Sequence, residues 1–535
     1  MMIAKAQSLD AAFPPHDGSA SLDHEASIPR PANDASEPID VAVLGGGPAG
    51  AAAARLLASR GHRVALVTRA PARPALAESL PPSVGKLLDR IGVRGAVDAA
   101  DFVRATGNTV WWGSDEPRVE SFGAGSLGWQ VRRDTFDAVL LAEAERAGAR
   151  VVRRAIVRDV ARGADGDAHQ LVHYESQGRQ RSVAARWVLD CTGRAGLLAR
   201  RQWRRADPAG RTLALVGVWE RRGGWTMLGD ETHTLVESYH GGWAWSVPVS
   251  RSRRYVTAMV DPSLTSVRRS EAADTLGVVY HAELAKAHRI GSLVRSGRGP
   301  ARLAGAPFAR DASSYDATRF ADPGVLLVGD AASFVDPLSS YGIKKALSSA
   351  WLASVVVHTA LVDESMQSAA LELYDARERA MCDALRRRFA ELSRDVASDA
   401  TTEFWRARSA ADAGDDGEPD VSALRRDPAV LAAFDAIRQR ASIGLRPSDA
   451  LRRSDRPTVR GDRVELAEHL FVPAFRDGVR YLRSIDLVTI VALAPMYDQV
   501  PDLYAAYNRA ASPAPLPDFL GALSVLVAKG MLDLA

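Results

Sequence analysis

Cysteine is scarce in this 535-residue chain, with only Cys191 and Cys382 present. Two thiols so far apart make neither a disulfide framework nor a zinc site, and they fit a reducing compartment, so a cytoplasmic location and no metal are expected. Charge of one sign is also lacking: Lys and Arg number 68, Asp and Glu 65, and the net charge is +3. That balance gives no electrostatic case for nucleic acid or an anionic membrane surface. No apolar run reaches the roughly 18 residues of a membrane span. The N-terminus has no basic segment followed by an apolar one, which excludes a secretory signal of the usual kind. Residues 1–38, rich in Pro, Asp, Ser and Ala, read instead as a disordered extension. No internal repeat is visible.

What is present is enough apolar material for more than one folded unit, with 47% hydrophobic and 25% charged residues. A short apolar strand at 41–44 runs into Gly45-x-Gly47-x-x-Gly50 and an Ala-rich helix over 49–60. The three glycines serve a tight turn, close approach of backbone to a pyrophosphate, and helix–strand packing. Alone, the motif admits NAD, NADP or FAD. The strand at 64–67 ends in Thr68 and Arg69 where an acidic ribose ligand is usual. Thr68 suits a ribose hydroxyl, and Arg69 an adenine ring or a phosphate.

A second segment, nearly 280 residues later, decides among the cofactors. An apolar strand at 325–328 ends in Gly329-Asp330, followed by Asp336-Pro337 and a helix beginning near Tyr341 and Gly342. A strand-end carboxylate accepts hydrogen bonds from sugar or ribityl hydroxyls. The helix N-terminus offers unpaired N–H groups to the electron-rich edge of a flavin. The two segments together resemble the flavoprotein hydroxylase and halogenase superfamily, over about residues 39–390, and the resemblance implies FAD. It further implies that Arg133 reaches the FAD diphosphate and that Thr192-Gly193 packs against the adenosine end.

Gly242-Trp243-Ala-Trp245-Ser-Val247-Pro248 resembles the Trp-x-Trp-x-Ile-Pro motif of the flavin-dependent halogenases. On a strand Trp243 and Trp245 share one face and form an apolar wall. Two replacements depart from that branch. The halogenase lysine is missing from Phe102–Trp112, where Arg104 is the nearest cation and cannot act as a nucleophilic amine. Lys86 reads as a surface residue. The glutamate of Asp-Pro-Leu-Glu-Ser is Ser339, followed by Ser340. His240, His233 and Glu237 are candidate bases beside the substrate, and Lys344, with Lys345, is placed to stabilise a reduced, anionic flavin.

These readings predict an α/β fold: a Rossmann-like FAD domain over 39–395 with an antiparallel substrate sheet inserted at about 205–315. A helical segment and linker at 396–455, acidic over 411–420, and a winged-helix-like unit at 456–535 follow. The function implied is an FAD-dependent monooxygenase acting through a flavin C4a-hydroperoxide on an electron-rich indole or phenol. The substrate is an aromatic small molecule or an aromatic side chain, such as tryptophan, in a peptide or protein. Electrons come from NAD(P)H or a flavin reductase. Three alternatives stay open: a true halogenase, a reductase of isoprenoid double bonds, and a non-catalytic flavin-holding subunit.

Overall fold

A computed structural model describes residues 38–534, apart from 71–73, 124, 163–168, 208–209, 226–230, 266–272, 296–299, 340, 398–401, 411–423, 425 and 441. The N-terminal extension, the acidic stretch at 411–420 and Ser340 therefore lie outside the described residues. The described residues divide into two units, the first within 38–361 and 374–410, the second within 362–373 and 424–534.

The first unit is organised by a largely parallel sheet. Its strands run Ala321–Asp322, Val325–Leu327, Arg179–Asp190, Ile39–Leu44, Val64–Val67 and Arg150–Val152 across the sheet. Val41 to Leu44 are wholly buried, as expected of parallel strands covered on both faces. Helix Pro48–Ser59 packs through Ala51, Ala52, Ala53 and Ala54, whose small side chains let it lie close to the strands. Three strands carry their C-terminal ends, Leu44, Asp190 and Leu327, to the same edge, the place where open α/β sheets hold ligands.

A second sheet forms the roof. Its order is Arg302–Leu303, Leu213–Glu220, Arg253–Val260, Gly242–Pro248, Thr234–Tyr239, Gly107–Trp111 and Arg118–Ser121. Two of these strands come from 107–121, ahead of the expected insertion at about 205–315. Alternation within 212–262 could not report them, because the pairing of Gly107–Trp111 with Thr234–Tyr239 is a long-range parallel contact. The rear of the roof is sealed by helices Ala273–Lys286 and His288–Arg295, around Leu215, Trp219, Val256, Tyr280 and Ile290. Helix Gly342–Val362 is long and apolar enough to cross a membrane by length and composition alone, but it is 83% buried inside the protein. It is the core helix of this unit.

The second unit has its own core. Strands Arg452–Arg460, Arg463–Val472 and Phe475–Val479 form an antiparallel sheet, followed by helices Leu487–Leu493, Val500–Ala510 and Leu516–Ala528. Asp486 caps the first of these helices by accepting N–H bonds from Val488 and Thr489, and Gly530, at φ 71°, ends the last. The unit starts well before 456. Helix Pro428–Gln439 contributes Val430 and Ile437 to the core, and strand Leu445–Pro447 pairs with Leu532–Leu534. The segment assigned to a linker at 396–455 is thus divided: helix Glu403–Ser409 lies in the first unit and 428–447 in the second. Removing everything from Arg456 onward would strip the apolar partners from Val430, Ile437 and Leu445. Such a truncation is expected to aggregate, as read by size-exclusion chromatography.

Candidate active site

The strand ends are joined by close backbone contacts. Gly45 adopts φ +109°, and a Cβ there would lie 2.4 Å from the Cys191 carbonyl oxygen. A Cβ on Gly50 would lie 1.9 Å from the Gly45 oxygen. Gly47 differs: its Cβ would meet nothing nearer than Arg133 Nη2, at 3.7 Å. The space above Gly47, at the N-terminus of helix Pro48–Ser59, is the cradle the motif reserves for a pyrophosphate. Gly329, at φ +64°, lies so near helix Pro48–Ser59 that a Cβ there would come within 3.1 Å of Ala49 Cβ, which brings the Asp330 turn to the same cradle. Thr68 stands beside Gly46, and Arg69 is exposed. The fit to a dinucleotide is therefore built from this chain's own backbone.

Arg133 starts helix Arg133–Arg146 and is held from two sides. Its Nη1 donates to Glu78 Oε1 at 3.0 Å, its Nε to Asp137 Oδ1 at 3.0 Å and its Nη2 to Asp137 Oδ2 at 3.2 Å. Burial opposes its charge, but Asp137 and Glu78 outweigh that and raise its pKa. Burial pushes the Glu78 and Asp137 carboxyls up in turn, against the pull of Arg133. Glu78 was not legible in the sequence, since only pairing of Ala77–Leu80 with Gly128–Arg132 brings it there. Thr192 serves the turn itself: its N–H and hydroxyl donate to Asp190 Oδ1 at 3.0 and 2.6 Å.

The two tryptophans divide their roles. Trp243 is wholly buried. It packs edge-on against Trp245 at 5.4 Å and Trp112 at 6.5 Å, and Trp112 packs on Trp405 at 5.2 Å. Trp243 therefore anchors a four-indole core. Trp245 keeps partial exposure, with Val236 and Thr257 as cross-strand neighbours on the same face. Pro248 is buried at the strand end.

The candidate bases are elsewhere. His240 is exposed on the turn between two roof strands, and its carbonyl accepts from Thr402. Glu237 accepts the N–H groups of Arg289 and Ile290 at 3.0 and 2.8 Å, capping the rear helix. His233 Nδ1 lies 2.9 Å from Thr109 Oγ1 in a buried pair. On a roof strand side chains alternate, and Glu237 falls on the rear face. Arg104 pairs with Asp98 at 2.7 Å and stacks on Trp129. Lys86 is exposed.

Lys344 is buried, 5.1 Å from the Tyr341 ring centre. Its neighbour Lys345 lies 3.5 Å from Asp330 Oδ1. Pro337 opens a short turn, Pro337–Ser339, before the helix that begins at Gly342.

Asp336 is a buried acid that sequence reasoning passed over. Its Oδ1 accepts from Leu338 N–H at 3.2 Å, and its Oδ2 has no partner. Burial raises its pKa to about 7, against the Arg408 charge, the Leu338 N–H and the nearby Trp243 indole. No bond of normal geometry joins it to Trp243, whose Nε1 is also unpartnered. The unfolded chain ionises this acid near its ordinary value of 3.8. Between there and about pH 7 the folded state holds the extra proton, so its stabilising contribution is complete at low pH and is lost as pH rises. Asp336→Asn should flatten that loss. In urea melts at pH 5 and pH 8, the variant should lose less stability between the two than the parent, by about 1 kcal/mol or more.

A cradle of strand ends with a flanked arginine beside it fits a flavoprotein. Comparison with known proteins fits this. The tryptophan halogenase family matches residues 117–442, more than half the chain. The chain belongs to that family, a group of FAD-dependent oxidoreductases. It is 31% identical over 341 residues to a tryptophan 2-halogenase of Chondromyces crocatus, covering 62% of this chain and 64% of that protein. It therefore spans just under two thirds of that relative's length.

Among solved structures, the flavin-dependent halogenase CmlS superposes with a TM-score of 0.73 at 22% identity, over 93% of this chain and 96% of that one. The peptidyl tryptophan dihydroxylase QhpG superposes with a TM-score of 0.64 at 24% identity, over 92% and 99%. Both likenesses concern the fold.

Proposed function

We propose that the chain uses FAD to deliver an electrophile to an electron-rich aromatic ring, and that the electrophile is a halogen. The observation that carries this reading is family membership together with the Trp243–Pro248 motif on the roof strand. Bound FAD supplies a reduced ring able to react with dioxygen. The chain's residues do the rest. Gly45, Gly47 and Gly50 seat the pyrophosphate; Arg133, held by Glu78 and Asp137, offers positive charge next to it; Asp330 takes hydroxyl hydrogen bonds. Trp245, Val236 and Thr257 form the face against which a flat ring lies, and Trp243 packs edge-on beside Trp245.

A second reading, hydroxylation, is favoured by one specific feature. The Phe102–Trp112 segment has no lysine, and Arg104 is spent on Asp98 and Trp129. Likeness to a peptidyl tryptophan dihydroxylase along nearly the whole chain adds to it. Under either reading the substrate is an indole or phenol, free or carried on a peptide or carrier, and a flavin reductase supplies electrons. One experiment separates them. FAD-loaded protein is given a reductase, NADH, air, bromide and a panel of indoles, phenols and tryptophan peptides, and products are read by mass. A bromine isotope pair supports halogenation. Oxygen from labelled dioxygen, independent of halide, transfers the conclusion to hydroxylation. Neither product from any aromatic removes both.

A further inference from the structure

Lys345 lies in the first turn of helix Gly342–Val362 and is 4% exposed. Cations are disfavoured at a helix N-terminus, so its burial there needs a compensating contact. Its Nζ donates to the Gly329 carbonyl at 3.3 Å, to Ser333 Oγ at 3.1 Å and to the Ser333 carbonyl, and lies 3.5 Å from Asp330 Oδ1. One ammonium, with its three donors, thus closes the turn that begins at Gly329 and ends at Ser333. One helical turn further on, Ser349 Oγ accepts the Gly329 N–H at 2.9 Å. Residues 345 and 349 share a helix face, so one helix clamps both sides of the turn.

Behind them stand buried groups of helix Gln367–Ala397. The Tyr374 hydroxyl donates to the Leu327 carbonyl at 2.8 Å and meets Ser349 Oγ at 3.2 Å. Glu378, 5% exposed, faces Lys345 and Ser349.

We propose that Lys345 is a positioning residue for the cofactor: it fixes the Asp330 turn from behind and offsets the Asp330 carboxylate, so that a reduced, anionic flavin does not meet an uncompensated negative charge. The proposal rests on the FAD assignment and is independent of whether the product carries halogen or oxygen. It narrows to Lys345 a role the sequence offered to Lys344 together with Lys345.

The test uses the full chain. Lys345→Met keeps the length of the side chain and removes the charge. Apoprotein titrated with FAD, followed by flavin fluorescence, should show a dissociation constant raised about tenfold or more, the range for a lost charged hydrogen bond. The residual bound flavin should have a more negative midpoint potential, a readout that simple loosening of the helix would not move in a set direction. In an Asp330→Asn background the same substitution should have a clearly smaller effect on FAD affinity, because the two act as a unit.

Unchanged affinity and potential, or full additivity with Asp330→Asn, overturns the proposal. If Lys345→Met alone does not fold because Glu378 is left without its cation, Lys345→Met/Glu378→Leu removes both charges, a change buried pairs tolerate far better. That double variant should fold and still bind FAD weakly; wild-type affinity in it would equally sink the assignment.

Discussion

Gly47→Ala should give a protein that folds normally and fails to hold FAD. The new methyl would meet nothing closer than Arg133 Nη2, at 3.7 Å, so the apoprotein has no reason to lose stability. The methyl would occupy the space that the pyrophosphate takes. Overpacking of this kind costs about 1–3 kcal/mol, or roughly ten- to a hundredfold in affinity. Gly50→Ala is the control. Its Cβ would sit 1.9 Å from a backbone oxygen that cannot move aside, so that variant should lose melting temperature even without cofactor. Thermal melts of both apoproteins, beside FAD titrations, separate a cradle defect from a fold defect. If Gly47→Ala binds FAD like the parent, the cradle is misplaced.

Trp243→Ala should be among the most damaging single changes in the roof. The side chain is wholly buried against Trp245 and Trp112. Truncating a buried tryptophan costs about 3–5 kcal/mol, a large share of the roughly 5–15 kcal/mol that holds a domain together. Trp245→Ala, at a partly exposed position, should cost far less stability and should act mainly on the Michaelis constant for an aromatic substrate. Denaturant melts paired with steady-state kinetics measure both. Equal stability losses would mean that both indoles are core.

The sequence made the cofactor cradle legible because its determinants are local. Gly45, Gly47 and Gly50 follow one strand, Asp330 ends another, and the buried runs 41–44 and 64–67 announce a parallel sheet. It was poorer wherever a role depends on a distant partner. Trp243 and Trp245 look equivalent two residues apart; only Trp112 and Trp405, brought in from far along the chain, make one of them core. Lys344 and Lys345 are adjacent, and the helix phase alone decides which reaches Asp330. His240 and Glu237 sat on the expected strands, yet one falls on a turn and the other caps a rear helix. Asp336 gave a faint signal, an acid inside an otherwise apolar stretch that lies between Asp330 and the core helix.

The roof sheet has a consequence for anyone who would re-engineer the enzyme by exchanging parts with relatives. Its strand Thr234–Tyr239 is bonded on one side to Gly242–Pro248 and on the other to Gly107–Trp111. The roof is therefore woven from two stretches of chain that flank the FAD-domain strand Arg179–Asp190 in sequence. A graft of 205–315 alone would cut through a hydrogen-bonded ladder and join a foreign strand to a native neighbour. The roof in this architecture is inherited as two segments that have to travel together.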